Sequence, residues 1–488
     1  MGTYEEVLSL LGNEAVHYLQ RICESRLAFP PINLKPTISI LLMRFDDEGT
    51  LQSQSQYMAP ETPVIVATFP EPIDFSEFDN SLSRSRLHAT VNSQLTLALL
   101  DFTAKTNSLT VFETRANRAH ECCALFVHLS KSDYPSQFSL PWPPAIAASE
   151  VPTSLILESA RAFATEGHEA LMDFSPLRTR LLRFAKDRNA IVRIGANMLM
   201  KRVLVEVAVD EFRGTTIIDA INDISFAFYE RSSAKGRLIL ARPTDSSICI
   251  RTALKEPIEL QDTTGARKLL EACGEHEGLL YDGDHLYGMG SLDAEGCQED
   301  RIAEVIFRKA GYWILRAGET DLLQFKNGVA DLPTPPIDER GILETIERVF
   351  GADVNDEVFS NLLKEIASLD HGTIVIVSSE AQEEAQRLRK QGTQIEPRVL
   401  NQGEFQSVSS IDGALLFDPN GRCHAIGVVL DGMAKENLGD PSRGSRYNSM
   451  IKYVQTRVDL NKSVVGVVFS DDGYSNYYSG MHGADVSS

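Results

Sequence analysis

The chain has 488 residues, more than one hydrophobic core accommodates, so two to four domains are expected. Its 43% hydrophobic and 24% charged residues are a globular composition, and a net charge of −21 argues against broad capture of nucleic acid or of an anionic membrane surface. No run of about 18 apolar residues is present to span a bilayer, and the seven scattered cysteines, with no Cys-x-x-Cys pair, suit reduced thiols in a cytoplasmic protein better than disulfides or zinc.

In chain order, Met1–Leu27 reads as an amphipathic helix, with acids where a signal peptide would carry bases. Strands at Thr37–Phe45, Thr62–Phe69 and Cys122–Ser130, with a helix at Ala89–Thr106, make residues 1–145 an α+β domain of unknown role. Tyr134–Pro152 holds five prolines, which block helix and interior strand alike and suggest a boundary. The next domain, 152–331, begins with helical spacing in Ser154–Gly167, Pro176–Arg188 and Thr215–Ser232, then turns strand-rich at Gly236–Arg242, Ser246–Thr252, Gly278–Leu292 and Arg301–Gly328. Within it Asp282-Gly283-Asp284 predicts a hairpin.

A second proline cluster, Leu332–Asp338, precedes a domain at 339–475. There helices at Glu339–Phe350, Asp356–Leu369, Glu380–Gly392 and beyond Gly444 alternate with apolar strands at Gly372–Ser378, Asp412–Asp418, Cys423–Gly432 and Ser463–Ser470. That alternation predicts an α/β fold, a mixed sheet flanked by helices. Residues 476–488 lack any period and are expected to be a flexible tail.

Three elements of the last domain can carry chemistry. Asp412 stands before Gly413 and Ala414 at a strand start, Ser445 and Arg446 open a helix, and Ser470-Asp471-Asp472-Gly473 closes the last strand. A helix start rich in Gly and Ser offers N–H groups and the positive end of the dipole to a phosphate. A guanidinium adds a permanent charge whose fork matches phosphate oxygens, and a carboxylate at a strand end can hold a divalent metal bridging those phosphates. Singly, each has a plainer reading as a turn or a capped helix. His276 and His285 lie near acids, but exposed hairpin positions explain them. No G-x-S-x-G elbow, Walker loop or G-x-G-x-x-G fingerprint is present.

Taken together and in this order, Asp412-Gly413-Ala414, Gly444-Ser445-Arg446-Tyr447-Asn448 and Ser470-Asp471-Asp472-Gly473 resemble the diadenylate cyclase family, the nucleotide-binding domain of the DNA-integrity scanning protein and its relatives. Members show Asp-Gly-Ala, then Gly-Thr/Ser-Arg-His-Arg, then Ser-Glu-acid-x-Gly; the strand from His371 is similar to their first core strand, and the likeness spans residues 340–475. Thr263–Gly290 resembles the sensor region of a branch with N-terminal sensor-like domains.

The resemblance implies condensation of two ATP into cyclic di-AMP and pyrophosphate, each 3′-hydroxyl attacking the other nucleotide's α-phosphate, under control of the N-terminal domains. It implies catalytic roles for Asp412 and Arg446. Nucleotide contacts fall to Gly413, Ala414, Gly444, Ser445, Arg446, Tyr447 and Asn448, and Mn2+ or Mg2+ to Asp412 and Asp471. One domain supplies half a site, so a homo-oligomer with cyclase domains face to face is implied, with ATP as partner and neither membrane nor nucleic acid. Tyr447 and Asn448 stand where the family has His and Arg, and Asp471 where it has Glu. Those departures keep an alternative open, a catalytically degenerate module that senses ATP or a cyclic dinucleotide.

Overall fold

The computed structural model describes residues 16–30, 32–48, 50–59, 62, 65, 91–93, 95, 106–116, 121–142, 152–172, 186–207, 217–229, 234–274, 276–292, 302–334, 337–351, 354–367, 369, 371–435, 438–440, 444–470 and 475–480. The chain divides into two units, Met1–Pro333 and Thr334–Ser488.

In the first unit, β1 (Thr37–Phe45), β2 (Leu51–Met58), β3 (Ser108–Ala116) and β4 (Glu121–Ser130) form an antiparallel sheet of order β2-β1-β4-β3. One face, with Ile38, Ile40, Leu42 and Leu125, shares a continuous core with helices α1 (Leu155–Met172), α2 (Arg188–Val207) and α3 (Ile217–Phe226). That core runs on into a second sheet through Leu238, Val305 and Trp313. The prolines of Tyr134–Pro152 therefore do not divide this unit. The expected boundary between 145 and 152 gives way because α1 has nowhere to bury Leu155, Ile156 and Phe163 except in the core it shares with the first sheet.

The second sheet is mixed, order β12-β11-β10-β9-β5-β7-β8-β6. Its strands are β5 (Gly236–Leu240), β6 (Ile248–Glu259), β7 (Gly278–Tyr281), β8 (His285–Leu292), β9 (Ala303–Lys309), β10 (Tyr312–Ala317), β11 (Thr320–Lys326) and β12 (Val329–Asp331). β7 and β8 form the predicted hairpin: Asp282 Oδ1 accepts from the N–H groups of Asp284 and His285, at 2.9 and 2.8 Å. In α4 (Thr263–Glu271), Arg267 is buried and donates from Nε to the Ala227 carbonyl just beyond α3, 3.0 Å away, which is a structural role. Much of Thr62–Phe69, Ala89–Thr106 and Pro176–Arg188 lies outside the described residues.

The second unit is also mixed α/β. Its sheet, order β14-β16-β15-β13-β17-β18, comprises β13 (Thr373–Ser378), β14 (Thr393–Arg398), β15 (Ala414–Phe417), β16 (Cys423–Val428), β17 (Val464–Phe469) and β18 (Ser475–Gly480). β13 and β15 run parallel and the other pairs antiparallel. On one face α5 (Glu339–Phe350), α6 (Asp356–Ala367) and α8 (Gln402–Ser409) bury Ile342, Ile346, Phe359, Leu363 and Phe405. On the other, α7 (Ala381–Arg387) and α9 (Ser445–Asp459) bury Ala385, Met450, Ile451 and Val454. Helices on both faces explain why β13, β15 and β17 are buried throughout rather than alternating.

Residues 476–480 are not a flexible tail. Val464 to Phe469 pair with Gly480 to Ser475, and the edge strand sends Tyr477 to one face, donating to Asp338 at 3.1 Å, and Tyr478 to the other, donating to Gln455 at 2.6 Å. Residues 481–488 lie outside the described residues.

Candidate functional site

Strand register brings much of the expected site to one end of this sheet. Ala414 at the start of β15 pairs with Ile374 near the start of β13 and with Val428 at the end of β16, while Thr373 pairs with Phe469 at the end of β17. Asp412 and Gly413, the exit of β16 and Ser470 therefore share that end. α9 is joined to β17 by a short turn through Leu460 and Asn461 and lies along it, with Met450 over Gly466. Its C-terminus sits where β17 begins, so its N-terminus, Gly444 to Arg446, reaches the end where β17 finishes. Asp471 lies outside the described residues.

Asp412 is exposed. Its approach is anchored by His371 Nε2, 3.1 Å from Ser409 Oγ at the end of α8. Gly413 adopts φ +121°, and a Cβ there would stand 2.5 Å from the Gly427 carbonyl carbon and 2.8 Å from Val428 N, so only glycine lets β15 begin this close to β16. Ala414 does not line a surface that a nucleotide could reach. It is wholly buried, its methyl in the apolar cluster under α9, because β15 is covered on both faces.

Gly444 is the N-cap of α9, with φ −62° and ψ 167°, and as a glycine brings no capping side chain of its own. Among the described residues nothing stands within 4 Å of where a Gly444 Cβ would be, and the first turn of α9 holds no acid to offset the positive end of the helix dipole. Ser445 is exposed and Arg446 half-buried beside it. Tyr447 is half-buried against the apolar cluster that holds Ala414.

Asn448, expected to touch nucleotide, is committed to its own loop. Its Oδ1 accepts from the Asp440 N–H at 2.8 Å, and its Nδ2 donates to the carbonyls of Asp440 at 2.9 Å and Gly444 at 3.2 Å. The loop leaving β16 is also held at its other end. Asp431 takes both Arg387 Nη groups, one at 2.9 Å, and the Met433 N–H donates to Thr456 Oγ1 at 2.9 Å. Arg387 in turn donates from Nη2 to the buried Glu384, 2.8 Å away, which also accepts from Tyr453 Oη at 2.7 Å and Arg457 Nη1 at 2.9 Å. Burial alone would raise the Glu384 pKa, but hydrogen bonds from Arg387 and Tyr453 and the Arg457 charge hold it below the usual range; the Arg387 hydrogen bond does the same for Asp431. Sequence reasoning missed this network because its members are scattered over α7, α9 and the loop, with no motif spacing.

Among the described residues no group of three or more His, Cys, Asp or Glu converges as a metal cluster. A Mg2+ or Mn2+ here would be held by one or two carboxylates together with substrate phosphates, and the exposed Asp412 is a hard oxygen donor of the right kind. No described helix is long and apolar enough to cross a membrane.

Comparison with known proteins places one resemblance in the first unit. Residues 215–318, from the start of α3 to just past β10, match the family described as a probable sensor domain, DACNH. Two solved structures are similar in part. A double mutant of DacA from Staphylococcus aureus shares 14% identity over 29% of this chain and 82% of its own, with TM-score 0.20. A hypothetical membrane spanning protein from Bacillus cereus shares 15% over 29% and 71%, with TM-score 0.23. No curated protein matches the chain.

Proposed function

We propose that the second unit is a nucleotidyltransferase domain that condenses two ATP into cyclic di-AMP and pyrophosphate, with residues 215–318 as a regulatory input. The observation that carries this reading is the convergence of an exposed carboxylate, Asp412, and the glycine-led start of α9 at one end of the sheet. The motif order and the sensor-domain match at 215–318 agree with it.

The N–H groups at Ser445 and the Arg446 guanidinium bind and orient the phosphates, holding the α-phosphorus in line for attack. Asp412 orients the incoming 3′-hydroxyl and takes its proton as the new 3′-O–Pα bond forms; the Pα–O bond to the β-phosphate breaks and pyrophosphate leaves. Mn2+ or Mg2+, held by Asp412 and Asp471, would supply charge neutralisation on the phosphates. Each copy offers one such half-site, so turnover needs two copies facing one another.

The test is incubation of the purified chain with ATP and Mn2+ or Mg2+, with products resolved by mass spectrometry. Absence of any cyclic dinucleotide with either metal refutes it. The commitment of Asn448 to Asp440 favours a second reading, a nucleotide-sensing module without turnover, since no second arginine then meets phosphate at that position. Calorimetric binding of ATP without product would select it.

A further inference from the structure

We infer that a cavity between α1 and α2 of the first unit binds an α-amino acid with an apolar side chain, its ammonium on Glu158 and its carboxylate on Arg202 and Lys201. The site lies outside residues 215–318 and does not depend on the cyclase reading.

Spacings of three and four in α2 put Met198, Lys201, Arg202 and Val205 on one face, while Leu199, Val203 and Leu204 turn to the core. Those four, with Leu140 and Glu158, are among the residues lining a cavity of about 380 Å3, within the range of small-molecule sites. The two helices cross closely because residue 195 is glycine: a Cβ there would stand 2.4 Å from Ser159 Oγ and 2.6 Å from Ser159 N. The wall carrying Leu140 is pinned. The Leu140 N–H donates to the Thr153 carbonyl at 2.8 Å, and Tyr134 Oη donates to Ser154 Oγ at 2.6 Å, just before α1.

Glu158, in the first turn of α1, is 1% exposed, and its two oxygens differ. Oε1 faces Arg202 Nε at 2.6 Å and Arg161 Nε at 3.6 Å, whereas no donor among the described residues reaches the buried Oε2. A buried carboxylate oxygen without a donor is costly, and a ligand N–H in the cavity removes that cost. Arg202 is 44% exposed; with Nε on Glu158, its Nη groups can offer a fork to a ligand carboxylate, and the exposed Lys201 adds a second positive charge. A cation and an anion in contact match a ligand that carries ammonium and carboxylate on one carbon. A bare anion would meet Glu158 and Glu206, the other acid of the lining, and a bare amine would meet Lys201 and Arg202, so repulsion selects against both. Leu140, Met198 and Val205 give the ligand side chain an apolar wall.

The experiment uses the full chain, with L-leucine, L-methionine and L-phenylalanine as calorimetric probes beside the analogues of each that lack the carboxylate or the ammonium; for phenylalanine these are 2-phenylethylamine and 3-phenylpropanoate. At least one amino acid should bind, and loss of either charge should weaken it about tenfold or more. Glu158→Gln and Lys201→Glu should each weaken that amino acid to a similar degree, with unfolding midpoints measured in parallel. A parent chain that binds none of the three overturns the proposal, as does an analogue that binds as tightly as its amino acid. Lys201→Glu at parental affinity also overturns it, since an exposed side chain leaves the fold out of question. Glu158→Gln with parental midpoint and parental affinity does the same; if its midpoint falls, Lys201→Glu decides.

Discussion

Replacing Gly413 by alanine tests whether that glycine serves the fold before any ligand. The backbone there is at φ +121°, a conformation that costs an L-residue about 1–2 kcal/mol. The new methyl would stand 2.5, 2.8 and 2.9 Å from the Gly427 carbonyl carbon, Val428 N and the Gly427 oxygen, all of them backbone. That strand cannot move aside freely, because Val428 pairs with Ala414 in the sheet, and overpacking of this kind costs about 1–3 kcal/mol. The sum, about 3 kcal/mol, corresponds to roughly 6–12 °C in midpoint for a unit of this size. Gly444→Ala is the control: at φ −62° with nothing near its Cβ, it should cost no more than about 1 kcal/mol. Thermal unfolding by circular dichroism gives the midpoints, and hydrogen exchange of peptides spanning β15 and β16 locates the loss. Both tryptophans, Trp142 and Trp313, lie in the first unit, so their fluorescence follows that unit separately. A Gly413→Ala midpoint no lower than that of Gly444→Ala would refute the close-approach argument.

Asp412→Ala should abolish cyclic dinucleotide formation and leave the unfolding midpoint within about 0.5 kcal/mol, since the side chain is exposed; retained product removes it from the chemistry. Glu384→Gln should destabilise by about 3 kcal/mol in urea titration, because it leaves Arg457 buried beside a neutral amide, whereas Arg340→Ala, which breaks only the exposed pair with Glu344, should cost under about 0.5 kcal/mol. His128 lies between Ser39 Oγ and Thr110 Oγ1, each 2.9 Å away, and burial lowers its pKa from 6.5 to about 3. Its neutral form stabilises the fold fully above pH 6.5. As pH falls from 6.5 toward 3 the unfolded chain takes up a proton that the folded chain refuses, so stability falls by about 1.4 kcal/mol per pH unit; urea midpoints against pH should show the slope, and His128→Gln should flatten it. Iodoacetamide should modify Cys249 first among the six described cysteines. Cys249 is exposed, while burial raises the Cys122 and Cys423 thiols to about 12 and those of Cys23 and Cys123 well above the usual value; peptide mapping over time gives the order.

Element identity in the second unit was legible wherever one residue pattern had one physical explanation. Helix α5 spans Glu339–Phe350 as the sequence pattern after the Leu332–Asp338 proline cluster announces, and β13 and β17 are the largely apolar runs they look like. Around the candidate site, the strand start that follows Asp412 and the helix start at Gly444 to Arg446 were legible, because strand starts and helix starts are short-range features. The β18 strand was not, since "SNYYSG" has no one-sided pattern: its tyrosines serve opposite faces of an edge that exists only once β17 is beside it. The proline-rich Tyr134–Pro152 segment misled because prolines forbid regular structure locally and say nothing of whether the flanking elements share a core.

By itself the sequence determined the strongly patterned helices and strands, the charge and thiol character of the protein, and the residue types available to hold phosphate. Only the tertiary structure decided that the start of β15, the end of β17 and the mouth of α9 meet at one end of a sheet, that Ala414 is core, that Gly413 is required by the backbone of β16, and that Asn448 holds a loop. Those outcomes depend on register and on contacts between segments far apart in the chain, which local propensity does not encode.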